Sequence, residues 1–171
     1  MDALTYAQGL PSLTVTPRVG YDLELLATGA FSPLDRFMGK TDYQRTLTEM
    51  CMVDGTLFPI PVTLPLDPAA LPNGTKAITL LSPNGQPLAV MELEEVFAYD
   101  KKRESRLVLG TTDIQHPYVA EMVGWGDFYA SGPLRVLDLP FHRAYGELCK
   151  VPAQVRECLE VMGLEKVVAF Q

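Results

Sequence analysis

Ala27–Leu64, ATGAFSPLDRFMGKTDYQRTLTEMCMVDGTLFPIPVTL, runs a turn, a helix and a strand together, and its reading decides how the flanking residues are taken. Thr28-Gly29 closes a helical pattern and Ser32-Pro33-Leu34-Asp35 supplies turn chemistry. A second helix is expected to open at Thr41, with Tyr43, Leu47 and Met50 recurring at helical spacing on one face. Asp54-Gly55 marks a turn into Leu57–Leu64, whose two prolines, Pro59 and Pro61, admit a strand only at a sheet edge or bulge. The stretch has no nucleophile-base pair and no metal-ligand spacing, so its residues alone read as scaffold.

Working toward the N-terminus, Thr16-Pro17 predicts a helix start, with threonine at the N-cap and proline where its missing N–H is harmless. Val19, Leu23 and Leu26 would share its buried face, with Leu25 widening the stripe. Residues 1–13 lack charge and periodicity and read as an extended arm.

Downstream of Leu64, a proline-rich connection precedes an expected strand at Thr75–Leu81. The turn Ser82-Pro83-Asn84-Gly85-Gln86-Pro87 then leads into Leu88–Val96, which together predict a hairpin. Asp100 is expected to cap a helix near 101–108, with Glu104 pairing to Lys101. A further helix is expected around Pro117–Val123, an alternating strand at Leu134–Leu139 and a helix at Pro152–Met162. Val155, Leu159 and Met162 would form the apolar face of that last helix. Short strands between Gly/Pro turns favour a small barrel or sandwich over a parallel sheet alternating with helices.

The 171 residues suffice for one sizeable core, and 47% hydrophobic with 20% charged residues is the composition of a soluble globular protein. With 21 acidic against 14 basic residues, the net charge of −7 argues against a broad nucleic-acid-binding face. No apolar run reaches the roughly 18 residues of a membrane span, and the basic start of a signal peptide is missing, so cytoplasmic residence is the default. Cys51, Cys149 and Cys158 are too few and too scattered for a disulfide framework and read as buried or partly buried free thiols. His116 and His142 lie far apart in sequence, so no local zinc site is expected.

Three segments invite functional readings. Asp100-Lys101-Lys102-Arg103-Glu104-Ser105-Arg106 could contact phosphate or RNA, but its acidic members reduce the field, and a solvated helix face is the plainer reading. Gly110-Thr111-Thr112-Asp113 has no phosphate-loop pattern, and His116 reads as a cap or packing residue. Gly124–Pro133 holds three glycines and three aromatics that could stack a base. Without interleaved basic residues, a bend whose aromatics fill the core is preferred.

Ordered phrases along the chain resemble the N-terminal domain of the ATP sulfurylase (sulfate adenylyltransferase) family. They are GAFSPLDRFMGKTDY at 29–43, DGTLFPIPVTL at 54–64, LAVMELEEVFAYDKKRE at 88–104, GTTDIQHPYV at 110–119, PAQVRECL at 152–159 and KVVAFQ at 166–171. The resemblance implies an α+β fold, a PUA-like, mainly antiparallel β-barrel with peripheral helices. It also implies an arm at 1–13, a barrel domain at 14–151, and a connecting helix and first strand at 152–171 that lead to a catalytic domain beyond the chain. The family usually carries threonine before the proline of the last helix; Val151 stands there instead.

In that family the final strand continues through glutamine into Thr-Arg-Asn-Pro and a pair of histidines that hold ATP phosphates and sulfate. Only Gln171 of this motif is present, and the resemblance makes it a sulfate-contacting residue. The chain is therefore expected to be a fragment or isolated domain with no catalytic residue, no metal ligand and no cofactor of its own. The parent would use Mg²⁺ with ATP and convert ATP and sulfate to adenosine 5′-phosphosulfate and pyrophosphate, in sulfate assimilation or sulfur oxidation. The implied partners are the catalytic domain and further copies in a homo-oligomer, with ATP and sulfate as substrates and neither nucleic acid nor membrane. A stand-alone PUA-like module for RNA or protein binding is the alternative.

Overall fold

The computed structural model describes residues 2–139 and 148–168. The chain opens with helix α1 (Ala3–Gln8), strand β1 (Ser12–Thr14) and helices α2 (Pro17–Ala27) and α3 (Lys40–Glu49). Strands β2 (Leu64–Leu66), β3 (Ala77–Leu81), β4 (Pro87–Glu92) and β5 (Glu95–Ala98) come next, before helices α4 (Lys101–Leu109) and α5 (Pro117–Val123). Strands β6 (Phe128–Ser131) and β7 (Leu134–Val136) and helix α6 (Pro152–Val161) complete the described chain. Among the described residues, no helix is long and apolar enough to cross a membrane.

The α+β architecture matches expectation, but the barrel does not close. The strands form two open sheets, β1-β3-β4-β7 and β2-β6-β5. Among the described residues, only β1 and β3 pair in parallel, and the other pairs are antiparallel. The expected hairpin is β3 against β4, closed by Ser82–Gln86 with Gly85 at φ 81°. The expected single strand Leu88–Val96 is divided because its two halves serve different sheets: β4 pairs β3 and β7, while β5 pairs β6.

One core fills the space between sheets and helices, with Leu64, Leu66, Ile78, Leu80, Met91 and Tyr129 all 2% exposed or less. The 31–39 segment is pinned to it by main-chain bonds. Met38 N–H donates to Val62 O at 2.9 Å, and Ser131 Oγ donates to Phe37 O at 2.6 Å. At the hinge between the sheets, Gly132 lies so close to β4 that a Cβ would overlap the Glu92 carbonyl oxygen. A Cβ on Gly126 would stand 2.5 Å from Leu66 O. Those approaches explain Gly126 and Gly132 without a ligand.

Several local expectations change. The expected arm at 1–13 contains α1 and β1: Ala7 is 1% exposed and packs with Ala77 and Val90, and its carbonyl accepts from Thr79 Oγ1. A six-residue helix with one buried side chain leaves no amphipathic period to read. On α2, Val19, Leu23 and Leu26 are buried and Thr16 caps Val19 N–H, but Leu25 lies off the stripe at 37% exposure. Met50 leaves the α3 face altogether, because it adopts a left-handed C-cap with φ 54°.

The expected Leu57–Leu64 strand reduces to β2, plus a lone bridge from Leu57 to Cys51, since prolines 59 and 61 lack the N–H a ladder needs. Pro65 is tolerated because β2 is an edge strand. Helix α6 forms as expected, yet none of its side chains is buried, including Val155 at 41%. Val151 supplies no side-chain cap; its N–H instead donates to Gln154 Oε1 at 3.0 Å. Lys166–Val168 of the expected final strand is not in strand conformation, and residues 169–171 lie outside the described residues.

Gly132→Ala should lower unfolding stability by about 2 kcal/mol or more, since the neighbour is rigid backbone. Urea denaturation checks this; an unchanged midpoint would mean that the two sheets can separate at the hinge without loss.

Candidate functional site

Asp100 caps α4, accepting from Lys102 and Arg103 N–H at 2.9 and 3.0 Å, and this sets which way the helix presents Glu104. Glu104 does not pair with Lys101. It turns inward to 1% exposure, and its Oε2 accepts from Tyr43 Oη at 2.8 Å and Tyr129 Oη at 2.9 Å. Lys101 instead pairs with Asp127 at 2.9 Å and donates to Trp125 O. A carboxyl group thus joins α4, α3 and β6 inside an aromatic cluster. Tyr99 stacks on Tyr129 at 3.7 Å, and Phe97 and Tyr43 meet the same ring at 6.0 and 5.4 Å.

Burial pushes the Glu104 carboxyl above its ordinary range, opposed by the two tyrosine hydrogen bonds and by Arg18. Burial, reinforced by Glu104, pushes both tyrosine hydroxyls far up, so they stay protonated donors. With 1% exposure the carboxyl cannot meet a substrate. Its chemistry is that of a buried tether.

A second cluster centres on Arg18, on the first turn of α2. Its Nη1 donates to Asp22 at 2.7 Å, its Nε lies 3.7 Å from Glu121, and its guanidinium sits 4.5 Å from the Trp125 ring centroid and 5.9 Å from that of Tyr118. Burial raises the Asp22 carboxyl, against the lowering effect of Arg18, and raises the Tyr118 hydroxyl to about 12. Arg18, Asp22 and Tyr118 form one side of an open groove, whose other side is Phe31, Phe58, Pro59 and Ile60. Neither cluster was anticipated from sequence. The i,i+4 spacing of Arg18 and Asp22 was the available signal, but it is the common signature of a surface ion pair.

The three segments with functional readings resolve as structure. Lys102, Arg103 and Arg106 are exposed on α4. Gly110 is the left-handed C-cap of α4, and Thr111 Oγ1 and Asp113 Oδ1 accept from Asp113 and Gln115 N–H in successive turns. His116 occupies the N-cap position of α5 without a side-chain cap, and its Nδ1 is buried with no hydrogen-bond partner. Trp125 and Tyr129 are buried at 9% and 0%, so they are not available for a base to stack on. Cys51 and Cys158 are half-buried, whereas Cys149, expected inside, is exposed; all three are free thiols. Among the described residues, no three His, Cys, Asp or Glu are grouped to hold a metal ion. Gln171, the expected sulfate contact, lies outside the described residues.

Residues 1–139 match the PUA-like domain family. The chain is 37% identical over 166 residues to a sulfate adenylyltransferase of Deinococcus radiodurans, covering 95% of this chain and 42% of the relative. It is 39% identical over 168 residues to one from a Synechococcus strain, covering 96% and 42%. A solved structure, the hexameric APS kinase from Thiobacillus denitrificans, superposes with a TM-score of 0.68 at 26% identity, over 94% of this chain and 28% of that one. The chain thus spans about 42% of the length of the curated relatives it matches.

Because Glu104 is favoured in its protonated form by the fold, its contribution is complete below the unfolded carboxyl pKa and is lost as pH rises through the raised folded value. Glu104→Gln should therefore cost more stability at pH 4.5 than at pH 7.5 in paired urea titrations. The reverse order would show a carboxyl held below its ordinary pKa.

Proposed function

The chain belongs to the PUA-like domain family, in the form carried by sulfate adenylyltransferases, and on that premise we propose that it serves as the N-terminal, non-catalytic domain of such an enzyme. The parent would transfer the AMP moiety of ATP to sulfate, a sulfate oxygen attacking the α-phosphorus while pyrophosphate leaves. The observation that carries this reading is the alignment of 95% of the chain with 42% of an adenylyltransferase at 37% identity. The Glu104 cluster supports a scaffold role, because its carboxyl is hydrogen-bonded to the Tyr43 and Tyr129 hydroxyls inside the core.

In this reading residues 14–151 are the PUA-like body and 152–171 lead to the catalytic part, where Gln171 would donate its amide to sulfate. Mg²⁺ would come with the ATP phosphates, as part of the parent's substrate. A homo-oligomeric parent is supported by the hexameric name of the solved neighbour. A cytoplasmic location is supported by the three free thiols. The net charge of −7 and the buried aromatics of 124–133 speak for protein rather than nucleic-acid partners.

The 171-residue chain alone should release no pyrophosphate from ATP and sulfate, while the full-length enzyme should. Release by the short chain, shown free of full-length protein, would overturn the assignment, and so would a full-length protein with no such activity. Helix α6 offers a second check. Ten residues with no buried side chain make a marginal helix in water. Its amides should exchange rapidly in the short chain and slowly in the full-length enzyme. Slow exchange in a monomeric short chain would show that α6 is held by the PUA-like body itself.

A further inference from the structure

The groove beside Arg18 has the makings of a contact surface, and the reasons lie in how its two sides are built. One side is a polar pair: Arg18 Nη1 donates to Asp22 at 2.7 Å, the guanidinium lies over the rings of Trp125 and Tyr118, and its Nε and Nη2 are buried with no hydrogen-bond partner. The other side is an extended run in which Phe58 packs edge-on against Phe31 at 5.9 Å, while Leu57 and Ile60 stand out at 72% and 57% exposure. Large aliphatic side chains held clear of the core in one concave feature form the kind of patch that marks a protein contact.

The backbone of this run restricts how it can be met. Pro59 and Pro61 have no N–H, so only Ile60 between them could donate to an added strand. Recognition must come through side chains entering the groove, not through strand addition. The charge pattern restricts the partner further. Asp22 and nearby Glu121 outnumber Arg18, so an acidic insert is repelled, and the apolar wall offers nothing to a charged one.

We propose that this groove is the docking surface for an uncharged, apolar segment from the part of the sulfate adenylyltransferase chain that these residues do not match. That part is more than half of the length of the relatives, so it is large enough to supply the surface. The proposal rests on the reading that the chain is the PUA-like portion of such an enzyme. It adds the specific face that is covered and the chemistry of what covers it.

Thiol footprinting tests it. Ile60→Cys is introduced into the full-length enzyme and into the 171-residue chain, with Leu107→Cys on the exposed face of α4 as a reference. Alkylation by a small maleimide is followed at each peptide by mass spectrometry. The position-60 thiol should react about tenfold or more slowly in the full-length enzyme than in the short chain, with the position-107 thiol unchanged between them. Equal rates at position 60 would overturn the proposal. Slow, concentration-dependent reaction already in the short chain would also overturn it, since a second copy would then be the occupant. As a check free of the new thiol, Ile60→Glu should leave the melting temperature of the short chain unchanged, because the side chain is exposed there, and lower that of the full-length enzyme. A failure of the functional reading itself would appear separately, as a wild-type full-length protein without ATP- and sulfate-dependent pyrophosphate release.

Discussion

The fold depends on one buried carboxyl. Glu104 reaches from α4 into the core and accepts hydrogen bonds from Tyr43 on α3 and Tyr129 on β6, so three elements distant in sequence share one acceptor atom. A carboxyl at 1% exposure is tolerated only when such partners replace its water. The partners in turn are aromatic, and their rings supply the apolar volume that holds the sheet β2-β6-β5 against the helices. Polar satisfaction and packing are therefore a single feature here, and loss of either tyrosine hydroxyl would leave the acceptor partly unmet.

Around this tether the two sheets are joined by backbone proximity more than by side chains. The Gly132 bend lets Glu92 and Glu94 N–H bond to Pro133 and Ser131 carbonyls, which carries the chain from one sheet to the other. The sheets stay open because β4 and β5 are assigned to different partners at that bend. The outer surfaces that result are uneven. The α4 face is charged and solvated, while the 57–60 run and α6 leave aliphatic side chains uncovered. Aliphatic side chains left outside in this way make these faces suited to contact other protein.

How legible this was varied with the range of the interaction responsible. The N-caps of Thr16 and Asp100, proline at the first position of α2, α5 and α6, and the Ser82–Gln86 turn are local devices, each decided by a few neighbouring residues. Helix positions and the β3-β4 hairpin could therefore be read directly, and so could the family, whose ordered phrases recur from residue 29 to residue 171.

Tertiary structure alone decided the rest. Glu104 sits among Lys101, Lys102, Arg103 and Arg106, a run indistinguishable from a solvated helix face until Tyr43 and Tyr129 arrive from 61 and 25 residues away. Arg18 looks like half of a surface ion pair until Trp125 covers its guanidinium. Helix α1 was invisible because only Ala7 is buried, and the strand expected at 57–64 shrank to β2 because Pro59 and Pro61 leave the run short of the N–H groups a ladder needs. Caps, turns and periodicity are properties of short segments and are set by sequence; burial of a carboxyl group, division of strands between sheets and exposure of an apolar wall depend on what other segments bring to the same place.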